Sequence, residues 1–209
     1  MQNFLDESVR LLREKNLLLI NSSDDGRVNS INNEDQIIKL LKDHFGNFLE
    51  IPSIRQWYDI AFIHGSTKIF INIKVSDFKN NAADNLSSKL GMGYALTGLD
   101  HMPISWDEFN NMLADNLRTG YDYYFLVIDK NCSTNVFWTS LKRIQYLQPN
   151  GSNLPFQCNW ARNTIPSTRT EVESMRYILE IYLQSWNKKT KGYPHKIRDI
   201  LENDKLIDE

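Results

Sequence analysis

The chain has 209 residues, 41% hydrophobic and 24% charged, with a net charge of −2 and a pI near 6.1. This balance excludes a disordered chain and a membrane-spanning one, since no apolar run approaches the ~20 residues a span requires. It suits one globular domain over 1–209, and the acidic pI disfavours a uniformly basic nucleic-acid protein while leaving room for a local basic groove.

In chain order, residues 3–15 read as an amphipathic helix through Phe4, Leu5, Val9, Leu11 and Leu12. Residues 21–30 read as a loop. A second helix is expected from Asn33 as cap to Gly46, with Ile37, Ile38, Leu41 and Phe45 as its apolar face. A strand at 47–51 and a hairpin of strands 56–63 and 68–75 follow, joined by the turn "HGST". A helix over 82–96 carries Gly91 and Gly93, which permit close packing on a sheet. Ser105 and Glu108 form a capping box for a helix over 105–117. Strands are expected at 121–129 and 134–141, a turn-rich loop at 148–164 and a long helix at 170–187. Ser185–Asp199 is a local basic concentration that reads either as part of a basic groove or as a solvated helix end and linker. The fold class is α/β, with an αβββαβ core over about 33–129, a mixed sheet flanked by helices, and elaborations at 1–30 and 130–209.

Cys132 and Cys158 lack metal-ligand spacing, as do His44, His64, His101 and His195. The N-terminus mixes acids into its apolar positions and matches neither a signal nor a transit peptide, so a reduced, cytoplasmic protein without a membrane partner is expected.

The hairpin holds the chemistry. Alternation puts Phe70, Asn72, Lys74 and Ser76 on one face of the second strand, and Trp57, Asp59 and Ala61 on one face of the first. A hairpin register that brings Asp59 to Asn72 and Lys74 joins a carboxylate, an amide oxygen and an ammonium. Such a set suits metal-assisted attack on a phosphodiester. Asp59, Asn72 and the Ile73 carbonyl are oxygen donors for Mg²⁺, with Mn²⁺ as a substitute. Lys74 then serves either to assist water or to hold phosphate.

The pattern Asp59…Asn72-Ile73-Lys74 in an αβββαβ setting resembles the PD-(D/E)xK nucleases, and among them the type II restriction endonucleases. Glu34 in the preceding helix, and Asp84, Asn85 and Lys89 in the following segment, sit where that family has polar residues. Tyr58 stands in place of the family's proline, and Asn72 in place of its second acid. Three accounts of Asn72 stand side by side. It is a ligand aided by another acid, Glu34 first and Glu50 second; it is a substitution that traps an uncleaved complex; or it marks lost activity. Catalytic candidates are therefore Asp59, Asn72, Lys74 and Glu34.

For DNA contact, amides and arginines gather at Asn150, Asn153, Gln157, Asn159, Arg162 and Asn163, with Gln148 and Arg169 beside them and Phe156 and Trp160 as anchors. A plain surface loop is the alternative. Asn80, Asn81 and Asn85 form a second amide cluster, and Lys89 is a candidate phosphate contact. The resemblance implies a Mg²⁺-dependent endonuclease cutting double-stranded DNA at a short palindromic site. It also implies a homodimer, built from helices 3–15 and 170–187, and a cognate DNA methyltransferase. The rival expectations are a non-cleaving DNA-binding protein, an interaction module without nucleic acid, and an RNA-processing nuclease.

Overall fold

A computed structural model describes residues 2–15, 17, 26–53, 56–79, 83–86, 89–101, 103, 105–189 and 194–203. In chain order the elements are α1 (Gln2–Lys15), α2 (Gly26–Phe45), β1 (Leu49–Glu50), β2 (Ile60–His64), β3 (Thr67–Ser76), β4 (Asp84–Asn85), α3 (Lys89–Thr97), α4 (Trp106–Asp115), β5 (Tyr124–Asp129), β6 (Cys132–Ser140), β7 (Leu147–Pro149), β8 (Phe156–Cys158), α5 (Glu171–Lys189) and α6 (His195–Glu202). The fold is α/β, with a mixed five-stranded sheet flanked by helices. The chain divides into two compact units, Met1–Ala82 with Tyr124–Thr139, and Ala83–Tyr123 with Ser140–Glu209. The core expected over 33–129 thus draws on both units.

The first unit contains the five-stranded sheet, in the order β1-β2-β3-β5-β6. β2 pairs antiparallel with β1 and β3, while β3 pairs parallel with β5. The β2–β3 hairpin closes at His64↔Thr67. Gly65 supplies the left-handed φ of +61° that this two-residue turn requires. One face of the sheet is apolar. Ile60, Ile69, Ile71, Ile73, Leu126 and Ile128 form a single cluster with Leu5 and Leu12 of α1 and Ile37 and Leu41 of α2. Helix α1 is therefore part of this core, because its apolar stripe is spent on the sheet. Arg13 donates to the Val136 carbonyl at 2.6 Å and Trp138 Nε1 to Asp6 at 2.7 Å, so α1 also blunts β6, the outermost strand.

Helix α2 begins at Gly26, seven residues before the expected cap. Asn33 lies inside it, 2% exposed, on the same stripe as Ile37 and Leu41. A buried stripe that starts at residue 33 needs helix on its N-terminal side to support it, which a cap residue cannot provide.

In the second unit, the segment expected as one helix over 82–96 is split. Asp84 and Asn85 pair with Cys158 and Gln157, and α3 begins only at Lys89. Asp84 is a strand residue. Helix α3 packs against α4 and the 3-10 turn Leu141–Arg143, burying Gly91 and Gly93. Ser105 caps α4 as its sequence predicts. Its hydroxyl accepts from the Glu108 N–H at 3.2 Å and donates to the Glu108 carboxylate at 2.9 Å. The loop expected at 148–164 is instead the β7–β8 pair and a 3-10 turn, Trp160–Arg162, because Phe156, Cys158 and Trp160 are drawn into the core. Met175, Ile178, Leu179 and Tyr182 of α5 are fully buried, so α5 is the spine of this unit. The segment expected as helix end and linker, Ser185–Asp199, runs into α6, which starts at His195 and is anchored by the buried Ile197.

Candidate active site

The site is built where β2 begins beside β3. The register Ile60↔Ile71 places both residues in the helix-covered core. Alternation therefore directs Asp59, Asn72 and Lys74 to the opposite face. The Asp59 N–H donates to the Ile71 carbonyl at 3.0 Å, and Asp59 Oδ2 accepts from the Ile73 N–H at 2.7 Å. The Asp59 side chain thus takes over the ladder bond that strand β2 would otherwise supply. In an extended strand a residue's N–H and C=O leave on the same side, so the Ile73 carbonyl points toward the edge where Asp59 sits.

Asn72 stands beside Phe125 in the parallel register, and Lys74 beside Val127. Phe125 and Val127 are buried, at 2% and 0% exposure. Asn72 Oδ1 is shielded from solvent and accepts no hydrogen bond. Such an oxygen costs about 1–3 kcal/mol if nothing occupies its lone pairs. Lys74 is half-buried and makes no ion pair with a described residue. Three oxygens, from Asp59, Asn72 and Ile73, with an ammonium two residues along from the amide, make a hard donor set of the kind Mg²⁺ prefers. Among the described residues no group of three or more His, Cys, Asp or Glu side chains is gathered anywhere, so any such site holds few protein carboxylates.

The two acids expected to help Asn72 lie elsewhere. Glu34 is on α2, whose buried stripe packs against the other face of the sheet. Glu50 is committed to its own cluster, accepting from Lys68 Nζ at 2.7 Å and from the Tyr58 hydroxyl at 3.0 Å. The Lys68 hydrogen bond holds the Glu50 carboxyl below the usual carboxylate range. Tyr58, in the position of the family's proline, is buried against Phe70, with ring centroids 4.8 Å apart. Trp57 lies 4.5 Å from the same ring.

The residues expected to touch DNA divide sharply. Asn80 and Asn81 lie outside the described residues. Lys89 lies over the rings of Trp106 and Phe109, at 4.6 and 5.0 Å, and burial lowers its ammonium pKa. Asn159 and Asn163 are buried and bond to backbone. Asn159 Oδ1 accepts from the Arg162 N–H at 3.2 Å, and Asn163 brackets the Tyr146 N–H and carbonyl at 2.8 and 3.1 Å. Neither amide is presented to a base edge.

Asn85, Gln157 and Gln148 form a row across β4, β8 and β7. Asn150 donates to Asn85 at 2.7 Å and to Gln157 at 3.1 Å, and Gln157 donates to Gln148 at 3.5 Å. Asn150 Oδ1 also accepts the N–H groups of Ser152 and Asn153, fixing the turn that carries the exposed Asn153. This row was invisible in the sequence because β4 is only two residues long.

Sequence reasoning also missed Asp122. Burial pushes its carboxyl up to about 6, although it accepts from the N–H groups of Tyr123 and Lys142 at 2.8 and 3.3 Å. No family model matches the chain, and no curated protein matches it. No described helix is long and apolar enough to cross a membrane.

Proposed function

We propose that this protein is a Mg²⁺-dependent endonuclease of the PD-(D/E)xK type, cutting double-stranded DNA at a short specific site. One observation carries the reading: Asp59 meets the Asn72-Ile73-Lys74 stretch at the end of a sheet, with a shielded Asn72 oxygen that has no partner. The first unit's mixed sheet, with β3–β5 parallel and β2 antiparallel to β1 and β3, is of the kind that an αβββαβ core has, although the helices between β3 and β5 belong to the second unit.

Asp59, Asn72 and the Ile73 carbonyl are the groups that would hold Mg²⁺ or Mn²⁺. When bound, such an ion acidifies water and neutralises charge developing on phosphate. The chain's own groups do the rest. The Ile73 N–H fixes the Asp59 carboxylate in orientation, and Phe125 and Val127 exclude water behind Asn72 and Lys74. The Lys74 ammonium holds a phosphate oxygen or exchanges a proton with attacking water. The products are a 5′-phosphate and a 3′-hydroxyl. A palindromic site would call for a two-fold dimer, each subunit reading one half-site. A cognate DNA methyltransferase belongs to the same proposal.

Asn72 favours a second reading, a DNA-binding protein on the same fold that does not cut, because an amide brings no charge to a cation. Incubating a sequenced plasmid with Mg²⁺ or Mn²⁺, using wild type beside Asp59→Ala and Lys74→Ala, separates the two. Discrete fragments that vanish in both variants support the enzyme. Binding without cutting supports the second reading, and fragments unchanged in both variants overturn the site. Comparing duplex DNA with RNA tests the RNA-processing alternative.

A further inference from the structure

From Ser140 through Thr170 the sequence holds no Asp or Glu, although the whole chain has 26 acids, and it carries Lys142, Arg143, Arg162 and Arg169. The structure sorts these cations. Lys142 is buried and paired with Glu171 at 2.5 Å. Arg169 lies 3.9 Å over the Tyr177 ring and donates to the Ile144 and Gln145 carbonyls. Arg143 and Arg162 are exposed.

The Arg162 guanidinium lies 5.2 Å over the ring of Tyr146, itself 45% exposed, and makes no ion pair with a described residue. Side-chain and backbone hydrogen bonds hold the two stretches side by side. Asn163 brackets the Tyr146 backbone, and the Ser167 N–H donates to the Arg143 carbonyl at 2.8 Å. Ile165, between them, is 71% exposed.

An exposed guanidinium stacked on an exposed tyrosine, beside a second exposed guanidinium and an exposed isoleucine, in a stretch without acids, is complementary to a polyanion with flat apolar parts. We propose that this surface of the second unit binds a nucleic-acid strand, with Arg143 and Arg162 on its phosphates and Tyr146 and Ile165 against sugar or base. The inference rests on the nucleic-acid reading of the Asp59 site and names the surface of the second unit that engages the substrate. Charge complementarity is what selects this occupant.

The test is fluorescence anisotropy of the full chain with a labelled duplex and a single strand of equal length, in EDTA, over a salt series. The R143A/R162A double variant is expected to bind at least about ten-fold more weakly, with a salt slope shallower by about two, one unit for each phosphate no longer neutralised. Tyr146→Ala is expected to weaken binding while leaving the slope unchanged. Lys39→Ala, an exposed lysine on α2 of the other unit, is expected to bind as wild type. Circular dichroism confirms folding of each variant; if the double variant does not fold, R143Q/R162Q takes its place.

Wild-type affinity and slope in the double variant overturn the proposal. So does wild-type protein that binds neither nucleic acid, or that binds an acidic peptide as tightly. Plasmid cleavage is scored separately. Cleavage that needs Asp59 but survives unchanged in the double variant sinks this surface and keeps the nuclease. Binding that needs the arginines, in a chain that never cuts, does the reverse.

Discussion

On β3 the amide of Asn72 has a shielded oxygen that accepts nothing, whereas in the second unit the amide of Asn163, 1% exposed, makes three hydrogen bonds to backbone. Both are asparagines with a side-chain oxygen shielded from solvent. Asn163 replaces water for the Tyr146 and Asn159 backbone and so stabilises the turn it sits in. Asn72 stabilises nothing of that kind and retains an unmet demand. Buried amides with full partners are architecture; a shielded one without a partner, beside a carboxylate, is where a ligand is expected.

The largest effect should come from Asp59→Asn. It keeps an acceptor for the Ile73 N–H but removes the charge, so plasmid cleavage should fall by about 10³-fold or more with the fold intact. Lys74→Ala should lower cleavage by about 10²–10⁴-fold, with DNA affinity nearly unchanged if the ammonium acts on water and reduced if it holds phosphate. Asn163→Ala tests the other side of the contrast. Removing three bonds and stranding buried backbone groups should cost about 2–3 kcal/mol in urea unfolding.

Asp122→Asn sharpens the contrast with a titration. The folded carboxyl titrates near 6 against an ordinary value of 3.8, so the folded chain holds this proton more tightly than the unfolded chain does. Its favourable contribution is present below pH 4 and is lost as pH rises to about 6. The variant should therefore gain about 2 kcal/mol over wild type at pH 7 and nothing at pH 3.5, read from urea midpoints across that range. The smallest effect on stability is the most diagnostic: Asn72→Leu should leave stability unchanged or raise it by about 1 kcal/mol, while cleavage falls with the loss of the amide oxygen. A large loss of stability there would mean that Asn72 is architecture too.

Much of the first unit was legible. The β-branched run "KIFINIKV", with Ile69, Ile71 and Ile73 at every second position, and the turn at Gly65 specify the β2–β3 hairpin, and that hairpin specifies which residues share a face with Asp59. The capping box at Ser105 was legible for the same reason: each signal acts over a few residues. What misled was polarity read without partners. Asn159, Asn163 and Asn150 have the composition of a groove-reading loop, yet their donors and acceptors are spent on backbone and on neighbouring amides. The pairing of Asp84 with Cys158 joins positions far apart in the chain, and no local pattern announces it.

The sequence by itself determined the α/β class, the main helices and strands, and the face on which Asp59, Asn72 and Lys74 lie, because helix and strand periods are local and the hairpin fixes its own register. Tertiary structure alone decided which polar groups are satisfied. It tied Glu50 to Lys68, placed Glu34 on the far layer, drew α1 and α5 into cores, and left the oxygen of Asn72 without a partner. Hydrogen-bond satisfaction is a property of neighbours brought together by folding, and a linear chain does not name them.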